Sequence, residues 1–146
     1  MNALRRAVLG AIAIALVKPL AALAAAWNKD AFGAKSAADA LKSLGTPAPV
    51  PSSDVVIDAP EIAENGAVVP IGVTSNIPKT ESIAILIEKN PNLLAAVFDI
   101  PTGTETSIST RVKMAQSSNV YALVKADGKY YVAGKDIKVT LGGCGG

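Results

Sequence analysis

The segment Val120-Tyr121-Ala122-Leu123-Val124-Lys125-Ala126-Asp127-Gly128-Lys129-Tyr130-Tyr131-Val132 decides the fold. Apolar and aromatic residues dominate on both sides of Asp127-Gly128, as expected for two β-strands. A two-residue hairpin turn requires positive φ angles, and Asp-Gly is one of the pairs that adopt them readily. The segment therefore predicts an antiparallel β-hairpin formed by residues 120–126 and 129–141.

The two-residue period continues on the N-terminal side of this hairpin. Further strands are predicted at 55–58, 67–74, 83–88, 93–98 and 107–113, with turn signals between them. Segment 83–87 is apolar throughout, which indicates a central strand. About seven short strands at this spacing predict a mainly β chain, with an immunoglobulin-like antiparallel β-sandwich over residues 46–141. Gly134 inside the last strand predicts either a β-bulge or a division into two strands.

A short helix is predicted before the sandwich, within residues 27–45. Alanine and leucine recur at helical spacing over residues 28–44. Asn28 is a suitable N-cap, and Gly45 a suitable residue to end the helix. Residues 46–53 contain three prolines and are predicted to be a linker.

Composition limits the chemistry available to this chain. Its 146 residues suffice for one domain with a core, and 50% of them are hydrophobic. The chain has no histidine, and therefore lacks the commonest general base and the commonest metal ligand. We expect no catalytic residues, no metal site and no cofactor, and hence a protein that is not an enzyme.

Residues 1–26 have the three parts of a cleaved export signal. Arg5-Arg6 is followed by an apolar run over residues 7–17 and by small residues that permit cleavage near Ala24 or Ala26. The run is shorter than the roughly 20 residues that span a bilayer, so we expect no membrane anchor. The paired arginines favour the twin-arginine route, and the predicted location is the periplasm.

Removal of this signal changes the charge balance. Three of the 14 basic residues lie within it and none of the 12 acidic residues, so 11 basic residues remain. Arg111 is then the one arginine that remains. A nearly neutral chain of this kind has no electrostatic footprint for nucleic acid, and a nucleic-acid-binding function is excluded.

The chain ends in Gly142-Gly143-Cys144-Gly145-Gly146, which contains its single cysteine. Four glycines around one thiol predict a flexible arm over residues 142–146, because glycine has little conformational preference. Prenylation requires a cysteine fourth from the end, and thiocarboxylate carriers of ubiquitin-like type are cytosolic domains of another fold. Two interpretations remain open. Cys144 is a covalent attachment point carried to other proteins, or it forms an interchain disulfide in an exported structural β-sandwich.

The tail and several other segments resemble a known family. Lys138-Val139-Thr140-Leu141 running into the glycine-cysteine tail is similar to the C-terminus of SoxY, the Y subunit of the Sox thiosulfate-oxidation system. The supporting segments are Asn119-Val120-Tyr121-Ala122, Asp127-Gly128-Lys129 and the paired arginines. The resemblance favours the carrier interpretation of Cys144 over the disulfide.

The resemblance implies a carrier on which other proteins act. A haem c-containing enzyme would join thiosulfate oxidatively to Cys144, a hydrolase would release sulfate, and a sulfane dehydrogenase would oxidise the remaining sulfur. The implied stable partner is the Z subunit, SoxZ, another small β-sandwich. Gly142, Gly143, Gly145 and Gly146 would form the swinging arm.

Overall fold

The computed structural model describes residues 28–141. The predicted export signal and the predicted glycine arm lie outside the described residues. Within residues 28–141, two short helices precede nine strands, and the protein is mainly β as predicted. The elements are α1 (Lys29–Gly33), α2 (Ala37–Ser43), β1 (Val50–Pro51), β2 (Val55–Asp58), β3 (Ile62–Asn65), β4 (Val69–Ser75), β5 (Thr80–Ile87), β6 (Leu94–Asp99), β7 (Ser107–Val112), β8 (Ser118–Ala126) and β9 (Lys129–Leu141).

The strands form two sheets. The larger sheet has the order β1-β9-β8-β5-β6, and β3 also pairs with β9; the smaller sheet has the order β2-β4-β7. The pairs within the smaller sheet and among β9, β8, β5 and β6 are antiparallel. Strands β1 and β3 instead run parallel to β9. The β-sandwich predicted from the sequence is therefore confirmed, with β1 and β3 as two short strands that depart from its antiparallel pairing.

The hairpin of β8 and β9 is confirmed. Asp127 and Gly128 have φ angles of 49° and 72°, and pairing continues without a shift from Ala126↔Lys129 to Ser118↔Ile137. Gly134 pairs directly with Tyr121, so the predicted bulge or division is wrong. The glycine instead makes room for an aromatic ring, since a Cβ at position 134 would lie 2.9 Å from Tyr121 Cε1.

The core between the sheets is built from branched aliphatic side chains, as the scarcity of aromatic residues requires. Alternate residues of β5 and β8 point into it, including Ile83, Ile85 and Val124, each with no exposed surface. The opposite face of the larger sheet is also covered. There Ala84 and Leu123 pack in a second apolar cluster with residues of α1 and α2. Strand β5 is buried on both faces, which explains its uninterrupted apolar sequence.

The single predicted helix is two helices. Asn28 caps α1, its side chain accepting a hydrogen bond from the Ala31 N–H. Ala34 is extended, and the Ser36 hydroxyl oxygen then accepts from the Asp39 N–H and begins α2. A second capping residue inside the segment explains the interruption. Gly45 follows the last turn with a φ of 69°, as predicted for the end of the helix.

An ion pair holds the turn of the β8–β9 hairpin to β5. Lys125 Nζ lies 2.9 Å from Glu81 Oε2, and the Gly128 N–H also donates to the Glu81 carboxylate. These two hydrogen bonds lower the pKa of Glu81. Because the folded-state pKa is the lower one, the pair stabilises the fold at neutral pH and loses its effect as the pH falls through that pKa.

We predict that Gly134→Ala is less stable than Gly72→Ala by about 1–3 kcal/mol, because the new methyl group must displace the Tyr121 ring. Both glycines lie within strands, and a Cβ at position 72 would meet its nearest atom at an ordinary 3.4 Å. Replacing glycine by alanine lowers the conformational entropy of the unfolded chain, and this stabilising effect is the same in both variants. Urea unfolding measures the difference, and equal stability of the two would contradict the packing described here.

Candidate functional site

The last four residues of β9 extend beyond its pairing with β8. The final β8–β9 pair is Ser118↔Ile137, after which β9 pairs with β3 alone among the strands. The β3 register includes Ala63↔Val139 and Asn65↔Leu141. A strand missed from the sequence therefore holds the segment that leads directly to the predicted arm.

Backbone hydrogen bonds connect the end of β9 to the core. The Leu141 carbonyl accepts from the Gly66 N–H at 2.8 Å, and the Gly66 carbonyl accepts from the Met114 N–H at 2.7 Å. Met114 is fully buried. The Asn65 side chain accepts from the Ala67 N–H, which closes the turn that positions Gly66. The polypeptide is thus anchored up to the residue that precedes Gly142.

Two hydroxyl groups add to this anchoring. Ser117 Oγ accepts from the Val139 N–H at 2.9 Å and lies 3.4 Å from the Val139 carbonyl, to which it donates. It takes the place of a β8 backbone partner beyond the end of that strand. Thr140 Oγ1 donates to the Glu64 carbonyl at 2.9 Å, which ties β9 to β3 a second time. The anchoring roles of Ser117, Gly66 and Thr140 were not predicted from the sequence. Asn65-Gly66 indicated only a turn, and Thr140 stood only within the segment that carries the family resemblance.

The side chains at this end are open to solvent. Leu141 is 70% exposed, and Val68, which follows the Asn65-Gly66 turn, is 54% exposed. Cys144 stands three residues beyond Leu141, and three residues reach about 10 Å when extended. Cys144 itself and Gly142, Gly143, Gly145 and Gly146 lie outside the described residues. The described residues therefore fix the position of Leu141, three residues before Cys144.

The rest of the described chain offers little chemistry of its own. Within residues 28–141, no group of three or more His, Cys, Asp or Glu side chains is arranged to hold a metal ion. No helix in this range is long and apolar enough to cross a membrane. A cavity of about 220 Å³ lies between α2 and the larger sheet, and apolar residues such as Leu41, Leu86 and Leu123 line most of it. Nothing in this lining resembles a reactive centre.

We predict that Ser117→Ala costs about 0.5–1.5 kcal/mol of stability, because the Val139 N–H loses its partner. Hydrogen exchange of the Val139 amide should accelerate by more than that of the Ile83 amide in the central strand. Ser109→Ala, an exposed serine on β7, is the control and should change neither quantity. Unchanged exchange at Val139 would show that the hydroxyl does not hold the end of β9.

A family model described as sulfur oxidation protein SoxY matches residues 40–144, a span that includes Cys144. The solved structure of the sulfur carrier protein SoxY from Chlorobium limicola f thiosulfatophilum is 37% identical in sequence, with a TM-score of 0.62. The match covers 69% of this chain and 92% of that one. No curated protein sequence matches the chain.

A second similarity concerns the fold alone. The superoxide reductase (neelaredoxin) from Ignicoccus hospitalis matches 58% of this chain and 79% of its own, at 18% identity and a TM-score of 0.52. The structural match shows a shared β-sandwich architecture. At so low a sequence identity it carries no information on activity. The family model spans well over half of the sequence, and the SoxY structure agrees with it over the described domain. The chain belongs to the SoxY family of sulfur oxidation proteins.

Proposed function

We propose that this protein is a periplasmic carrier that holds thiosulfate-derived sulfur on the thiol of Cys144 and presents it to separate enzymes. The observation that carries the proposal is the extent of the SoxY family match, which runs through residue 144. Membership in this family supports a sulfur-carrier role in the Sox system. The anchored end of β9 adds a mechanical reason, because it provides a fixed base for a short tether.

The proposed cycle uses the thiol as an attachment point. A haem c enzyme joins the Cys144 sulfur to the terminal sulfur of thiosulfate, removes two electrons and releases one proton. The product is a cysteine S-thiosulfonate. Hydrolysis then uses one water to cleave the bond between sulfur and the sulfonate group, which leaves as sulfate with one proton. Cys144 keeps a persulfide, which a sulfane dehydrogenase oxidises further.

The partners supply the catalytic groups in this scheme. The chain has no histidine, the side chain that most often acts as a general base. Activation of the sulfur is therefore assigned to the enzyme into which the arm enters. Small residues on both sides of Cys144 suit entry into a narrow channel, since glycine adds no side-chain bulk.

Export and a stable partner complete the proposal. Arg5-Arg6 and the apolar segment after it support export by the twin-arginine route. Family membership implies a complex of SoxYZ type, in which a second small subunit accompanies this chain. No cofactor is proposed for the chain itself.

We expect intact mass spectrometry of protein from thiosulfate-grown cells to show additions of sulfur and thiosulfate that reductant removes. Cys144→Ala should abolish every such addition, because the chain has no other thiol. The Cys144→Ala protein should unfold as the original protein does, since position 144 lies outside the strand pairs of the described domain. A disulfide-linked homodimer without sulfur adducts would instead support a structural role for Cys144.

A second prediction concerns the length of the arm. Deletion of Gly142 and Gly143 should leave thermal unfolding unchanged, because the strand pairs of the described residues, up to Asn65↔Leu141, do not involve either glycine. Turnover by a haem c thiosulfate-conjugating enzyme should fall by about 100-fold or more, since misplacement of a reacting group by even an ångström is costly. Gly142→Ser combined with Gly143→Ser keeps the length and should retain most of the turnover. Equal loss in both variants would show that glycine itself, and not reach, is required.

A further inference from the structure

The cavity between α2 and the larger sheet is lined mostly by apolar side chains. Its volume is about 220 Å³, and seven of its nine lining residues are apolar, among them Leu86, Leu93 and Val132. An apolar cavity of about 150 Å³ is already large enough to bind benzene. The cavity therefore has room for a phenyl ring and roughly two or three further non-hydrogen atoms.

Helix α2 and the sheet enclose this cavity on two sides. Ala37 and Leu41, one helical turn apart, line it from α2, and Leu86 and Leu123 line it from β5 and β8. The remaining side is partly open to solvent. A helix is about 10 Å across and cannot enter a space of this volume, whereas a small molecule can. The shape of the cavity thus favours a small ligand.

Tyr121 forms a wall of the cavity because of the glycine opposite it. Tyr121 and Gly134 pair directly across β8 and β9, and the ring occupies the space in which Gly134 lacks a side chain. The tyrosine therefore lies over β9. Tyr130 on the same face donates its hydroxyl proton to the Leu44 carbonyl, whereas no partner of the Tyr121 hydroxyl is found within residues 28–141. An aromatic ring at such a position attracts a cation.

Glu88 is the charged residue of the lining, and its position is fixed by hydrogen bonds. The Asn119 side-chain amide donates to Glu88 Oε2 at 2.9 Å, and the Glu88 N–H donates to the Asn119 carbonyl at 3.1 Å. Neither of the ion pairs found within residues 28–141 includes Glu88. None of the residues that line the cavity is basic. The cavity therefore combines an apolar interior with one unpaired negative charge.

We propose that this cavity binds a small amphiphilic cation, a primary amine attached to a phenyl ring or to an alkyl group of similar size. The apolar part lies among Leu86, Leu93 and Leu123, and the ammonium group lies between the Glu88 carboxylate and the Tyr121 ring. Such an amine is protonated at neutral pH, as a lysine side chain is. The site does not involve Cys144 and is independent of the proposed function.

Amide NMR spectra of the full chain test the proposal with three probes of similar size. These are 2-phenylethylamine, the neutral 2-phenylethanol and the anionic phenylacetate. The amine should shift the amide signals of Leu86 and Leu123 with a Kd of about 1 mM or tighter, as expected for a ligand of this size. The alcohol should bind about fivefold more weakly, because it lacks the attraction to an exposed carboxylate. Phenylacetate should bind more weakly still.

Glu88→Gln tests the role of the charge. The affinity for the amine should fall about fivefold while that for the alcohol stays unchanged, so that the two Kd values converge. Glutamine keeps a carbonyl oxygen that can accept from the Asn119 amide, and the fold is retained. Glu105→Gln is the control, because it removes an exposed charge just before β7, outside the cavity. It should change neither Kd.

Ala37→Leu tests the location of the site. The larger side chain fills the cavity and should abolish binding of both the amine and the alcohol. Ala38→Leu places the same side chain at the next position of α2, which does not line the cavity, and should leave binding unchanged. Equal affinity for all three probes would overturn the proposal. So would binding that persists in Ala37→Leu, or the absence of shifts with about 10 mM amine, ten times the expected Kd.

Discussion

The pairing of β9 is the constraint on which the rest of the structure depends. Along one edge it forms nine consecutive pairs with β8, and along the other it receives β1 and then β3. Strand β8 in turn pairs with β5, the strand buried on both faces. The larger sheet is therefore organised around a hairpin that begins at Asp127-Gly128. Contacts between β9 and β3 join segments that are far apart in sequence, so the domain is closed by long-range pairing.

The same arrangement divides the surface into regions with separate properties. The helices cover the outer face of the larger sheet and leave an apolar cavity above it. The end of the sandwich near Leu141 carries the base of the arm. The lateral side formed by β6 and β7 is open, and the opposite side is closed by β1 and β3. The proposed carrier role would benefit from such separation, because contacts at one region need not obstruct contacts at another.

Much of the fold could be predicted from the sequence because the long strands alternate or are wholly apolar. The strand at 55–58 and the last strand, ending at Leu141, have the predicted bounds. Strands β1 and β3 were missed because Val-Pro and Ile-Ala-Glu-Asn have neither the length nor the composition of a strand. Tertiary pairing with β9 alone makes them strands. The helix was drawn too long because alanine spacing is continuous across Ser36, whose capping role depends on a local hydrogen bond.

The site was predictable to a different degree. Cys144 is the single cysteine of the sequence and stands among four glycines, which marks it as a candidate functional residue. The family match includes it. The residues that hold the end of β9 could not be predicted in this way. Ser117 and Gly66 act through one hydroxyl and one peptide group, each made useful only by the chain that folds against it. Serine and glycine are common in loops, so the residue types alone do not distinguish these two positions from other loop positions.

The hydrogen bond between Gly66 and Leu141 has a consequence for encounter kinetics. Whatever path the next three residues take, the Cys144 Cα cannot lie more than about 10 Å from Leu141, which acts as a fixed pivot, and the sulfur lies within one short side chain of that Cα. An enzyme resting against that pivot meets the sulfur at an effective concentration far above that of the protein in solution. Weak and short-lived surface contacts are then enough for capture. Rapid release follows from the same weakness, as the proposed transfer of sulfur between separate enzymes requires.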